Sequence, residues 1–118
     1  MAEEEQLLTE NDFFTSIEDR LINVLVDAEL LVNGINITEQ DADELILEID
    51  ELKIEVGRAE LRNAIRGAAL KHKLDDVIQL ILSASIDERP MYAIRIVERV
   101  QLHLDRSILR YLSSILCN

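Results

Sequence analysis

The chain has 118 residues, 48% of them apolar, with three glycines and one proline, a composition that supplies one compact core and counts against both disorder and a loop-rich β architecture. Its net charge of −12 counts against phosphate backbones and anionic membranes as partners, since both are bound through Lys and Arg. The imbalance is local: residues 1–60 carry 18 acidic side chains against three basic ones, a balance of −15, and residues 61–118 carry six against nine, a balance of +3.

The first helix is expected from about Asn11 to Asn33. Phe14, Ile17, Leu21, Val24, Ala28 and Leu31 recur at spacings of three and four, one stripe on a helix, which Phe13, Leu25 and Val32 widen. Thr9 is the expected cap, and Asn33-Gly34 the stop. Residues 1–8 are expected as a flexible acidic N-terminus. Thr38-Glu39-Gln40-Asp41 resembles a capping box, with Ile37 as its hydrophobic staple. It opens a second helix whose stripe is Ala42, Leu45, Ile49, Leu52 and Val56. The short link between the two predicts an antiparallel hairpin.

Gly57 is the expected break after the second helix, with a further helical segment through Leu61, Ala64, Ile65 and Ala68. Lys71, His72 and Lys73 then read as charges compensating a helix C-terminus, followed by a short helix over about 75–83. Asp87 and Pro90 start the last helix, whose apolar positions include Tyr92, Ile96, Val97, Val100, Leu104, Ile108, Tyr111, Leu112 and Ile115. The expected fold is therefore a single all-α domain over residues 1–118. It is a compact helical bundle of four to five helices, beginning with the antiparallel hairpin and ending in a long C-terminal helix.

Catalytic chemistry has little to work with. His72 and His103 are the two histidines; neither accompanies a nucleophile or a metal-ligand spacing such as His-Glu-x-x-His. The acidic run over 39–55 lacks the alternating ligands and central glycine of a calcium loop. No phosphate-binding loop can be assembled, and 3% aromatic content leaves no stacking platform for single strands. Arg62, Arg66, Lys71 and Lys73 form the most basic patch, but without the glycine turn of a DNA-reading helix pair. No cofactor and no metal are expected.

The reading that follows is a non-enzymatic protein–protein interaction module: a small acidic regulator, adaptor, chaperone-like or inhibitor protein. Its partner is another protein with a basic surface, met through the acidic face formed by Asp43, Glu44, Glu48, Asp50, Glu51 and Glu55. The C-terminal helix, through Val97, Val100, Leu104, Ile108, Tyr111, Leu112 and Ile115, is expected to dock in the core or to form a homodimer, because pairing the acidic halves would bring like charges together. The alternative is a nucleic-acid mimic occupying the basic groove of a DNA- or RNA-binding protein. A helical-bundle enzyme or metal-binding protein comes third. No run of about 18 apolar residues suits a membrane span, and the acidic opening does not resemble a signal peptide. With the lone Cys117, these features predict a soluble cytoplasmic protein.

Overall fold

A computed structural model of the protein describes the backbone of residues 2–33, 37–85 and 90–116, and the side chains of residues 10–33, 37–85 and 90–106. Four helices account for nearly all of it: α1, Ala2–Asn33; α2, Glu39–Arg62; α3, Ala64–Leu82; and α4, Met91–Leu116. The described residues contain no strand, and the fold is an all-α helical bundle.

Local chemistry sets most of the helix ends. The capping box before α2 forms: Asp41 N donates to Thr38 Oγ1 at 3.1 Å and Thr38 N donates to Asp41 Oδ2 at 3.0 Å, satisfying two amides at the helix start. Ile37 packs into the core beside it. Asn63 is the joint between α2 and α3. Its extended backbone ends one helix, its N–H donates to the Ala59 carbonyl at 2.9 Å, and its Oδ1 accepts from Arg66 N at 3.1 Å. At the other end of α3, Gln101 of α4 donates through Nε2 to the carbonyls of Ile81, at 2.9 Å, and Ala84, at 3.3 Å. A side chain from a neighbouring helix thus closes the last turn.

Several expectations are corrected. α1 begins at Ala2, ahead of the start expected at about Asn11. Thr9 therefore lies inside the helix. α2 runs straight through Gly57 and stops at Asn63 instead. α3 is one helix where two segments were expected, because Leu70, Leu74, Val77 and Ile81 carry a single buried stripe across the Lys71 to Lys73 cluster. That cluster is exposed in the middle of the helix. The apolar residues expected to organise this region, Leu61 and Ile65, are 89% and 85% exposed. An opening hairpin does not organise the bundle: α3 packs against both α1 and α2, and α4 packs against α2 and α3. The longest helix is α1, with 32 residues, and the last helix has 26.

The α1 and α2 stripes are buried as their spacing predicts, from Phe14 to Leu31 and from Ala42 to Val56, and they meet Leu70, Val77 and Ile81 from α3 and Val97, Val100 and Leu104 from α4. No described polar or charged side chain is buried. This dry core places all charge at the helix flanks. Gly67 makes the α2–α3 packing close: a Cβ there would stand 2.5 Å from the Glu60 amide nitrogen.

Candidate functional site

The acidic face expected from the sequence lies on α2. Its buried stripe faces the core, which leaves two acidic flanks and an outer ridge between them. Glu44, Glu48, Glu51 and Glu55 follow one another at spacings of four, three and four, so they share the flank toward α1. Asp43 and Asp50, seven apart, share the flank toward α4.

Each of the six has a partner within the chain. Arg20 of α1 donates through Nε to Glu48 Oε1 at 2.8 Å and through Nη2 to Glu51 Oε2 at 3.1 Å. The Glu48 hydrogen bond, reinforced by the nearby carboxylates, holds the Arg20 guanidinium still more firmly protonated than usual. Arg99 of α4 pairs with Asp43 at 2.6 Å, and His103 of α4 contacts Asp50 at 3.0 Å. Glu55 pairs with Arg58 at 3.2 Å, and Glu44 accepts from Gln40 at 3.2 Å. Four of the carboxylates expected to bind a partner, Asp43, Glu48, Asp50 and Glu51, therefore also tie α2 to α1 or α4, whereas Glu44 and Glu55 pair within α2. Half-exposed pairs of this kind each contribute little, about 0.2–1 kcal/mol.

Beside the α1 flank lies a groove of about 580 Å³ between α1 and α2. Asp27, Asp41, Glu44 and Glu48 line it together with Leu30 and Leu47. Partial burial, followed by the charges of Asp41, Glu44 and Glu48, raises the Asp27 pKa above the ordinary carboxylate range. The groove is thus negative beyond what Arg20 offsets.

The outer ridge is the feature that sequence reasoning missed. Leu47, Ile54 and Leu61 stand 60%, 61% and 89% exposed. Their spacing of seven was legible, but a search for three-four core stripes passes over it. On α1, Ile22, Val26 and Leu30 are exposed in the same manner.

The remaining expected residues divide. Val97, Val100 and Leu104 are buried in the core of the same chain; Ile108, Tyr111, Leu112 and Ile115 lie outside the described side chains. In the basic patch, Arg62 lies over the Phe13 ring at 4.1 Å and Arg66 over the Phe14 ring at 4.3 Å, cation–π contacts that hold α2 and α3 to α1. Arg66 also reaches Glu18 at 3.9 Å. Lys71, His72 and Lys73 are exposed. Asp87 and Cys117 lie outside the described residues. Among the described residues, no group of three or more His, Cys, Asp or Glu side chains is placed to hold a metal ion, and no helix is long and apolar enough to cross a membrane.

No protein-family model, curated protein or solved structure matches the chain.

Proposed function

We propose that this protein is a non-enzymatic interaction module for a partner protein with a basic surface, acting as a regulator, adaptor, chaperone-like protein or inhibitor in a soluble, cytoplasmic setting. The observation that carries this reading is the outer surface of α1 and α2, where large apolar side chains such as Ile22, Leu47 and Ile54 stand exposed in the half of the chain that holds a balance of −15. Carboxylates steer and select a basic partner, and exposed apolar groups give affinity once water is excluded. Nucleic-acid mimicry draws less support, because it requires rows of uncompensated charge, and the α2 carboxylates are shared with Arg20, Arg58 and Arg99.

Affinity purification from native lysate at low and high salt tests the reading. Basic proteins retained at low salt and released at high salt are the expected outcome. Recovery of no basic protein under either condition would overturn it, and displacement of the captured proteins by added DNA would favour mimicry.

A further inference from the structure

The ridge on α2 has the geometry of one side of a two-helix seam. Seven residues fall about 20° short of two full turns on a straight α-helix, so Leu47, Ile54 and Leu61 lie almost in line. At about 1.5 Å per residue the line is roughly 21 Å long. Carboxylates border its Leu47–Ile54 stretch on both sides, Asp43 and Asp50 on one, and Glu44, Glu48, Glu51 and Glu55 on the other, while the exposed Arg58 and Arg62 adjoin its Leu61 end. This is the pattern of an apolar seam with charged margins, in which the margins choose the partner.

We infer that the outer face of α2 docks one amphipathic helix of a partner protein, a helix with an apolar stripe at heptad spacing and Lys or Arg along both edges. The inference rests on the reading of a basic partner given above and names the form that partner takes. Charge complementarity selects the occupant. A second copy docked parallel and in register would set Asp43, Glu48, Asp50 and Glu51 against their own equivalents, and like charges across a seam repel. Their intrachain pairs do not exhaust these groups, since the Asp43 side chain remains 54% exposed and the Glu51 side chain 52%. An ionised carboxylate offers about four acceptor sites, so each can meet an incoming cation while keeping Arg99 or Arg20.

Titration of the full chain with a synthetic helical peptide, Leu at its seam positions and Lys at both margins, tests the proposal by fluorescence anisotropy at low and high salt. A peptide with Glu at the margins serves as control. The Lys peptide should bind, the Glu peptide should not, and salt should weaken binding. An L47S/I54S variant should bind about tenfold more weakly or worse, whereas Leu102→Ser on α4, at a position 51% exposed, should bind as the parent does. Both variants alter exposed positions, and circular dichroism checks that they are folded. Equal binding by parent and L47S/I54S would overturn the seam while leaving the basic-partner reading intact. Absence of Lys-peptide binding at low salt would also overturn the seam, and the lysate experiment would then decide the broader reading by itself. A parent dimer that dissociates on the L47S/I54S change would assign the face to a second copy and overturn the proposal.

Discussion

Gly67 packs against Glu60 so closely that a Cβ on the glycine would stand 2.5 Å from the Glu60 amide nitrogen and 2.8 Å from its Cγ. The obstacle includes backbone, which a side-chain rotation cannot clear. Gly67→Ala should therefore cost about 1–3 kcal/mol, the range for overpacking a tight interface. At Gly57 a Cβ would meet no described atom within 4 Å. Gly57→Ala should stabilise by about 0.5–1 kcal/mol through helix propensity alone. Urea midpoints of the two variants, shifted in opposite directions, check the pair.

Asp27 predicts a pH dependence. Its pKa is raised by partial burial and then by Asp41, Glu44 and Glu48, so ionisation opposes the folded state. The contribution of such a group to stability is greatest below its ordinary value, about 3.9, and is lost as pH rises through the raised value. Asp27→Asn should unfold at higher urea than the parent at pH 7. That advantage should shrink as the pH falls through the carboxylate range, which paired denaturation curves at neutral and acid pH would detect.

Arg20 bridges α1 to two carboxylates of α2. A double-mutant cycle on Arg20 and Glu48 should give a favourable coupling of about 0.5–1 kcal/mol, the upper part of the range for exposed pairs. In about 1 M salt, where screening acts over roughly 3 Å, the coupling should fall. A coupling indistinguishable from zero at low salt would show that the contact holds no stability.

Leu104 is 1% exposed and Leu102, two residues away, is 51% exposed. Leu104→Glu places a carboxylate in the dry core, at a cost of several kcal/mol against a total stability of about 5–15 kcal/mol for a domain. It should abolish or severely lower cooperative thermal unfolding, whereas Leu102→Glu should melt near the parent. Circular dichroism melts of both distinguish core docking from an exposed face.

The stripes Phe14 to Leu31 and Ala42 to Val56 were legible because each needs only its own helix period, and the Thr38–Asp41 box because its groups lie three residues apart. Gly57 misled because glycine tolerates a helix interior at modest cost, and where no neighbour needs the space the helix simply continues. Asn63, whose side chain can cap, marked the true boundary. The intrachain partners of the acidic face could not be read in the same way. Arg20 meets Glu48 across 28 positions and His103 meets Asp50 across 53, and such pairs exist only after the core has set the helices side by side. The exposure of Ile65 had the same origin, since Gly67, Leu70 and Leu74 turn the opposite side of α3 inward, whereas Leu61 closes α2 on the side away from its buried Val56 and Ala59.

A joint of one residue also makes Asn63 a ruler. An α-helix turns about 100° per residue, so one amino acid inserted after Ala64, with the Asn63 cap and the helix kept, would rotate the rest of α3 by more than a quarter turn. Gly67 would leave Glu60, Arg66 would leave the Phe14 ring, and Leu70 and Leu74 would swing out of register with the core. At this joint the chain cannot change length without changing which face of α3 is inside.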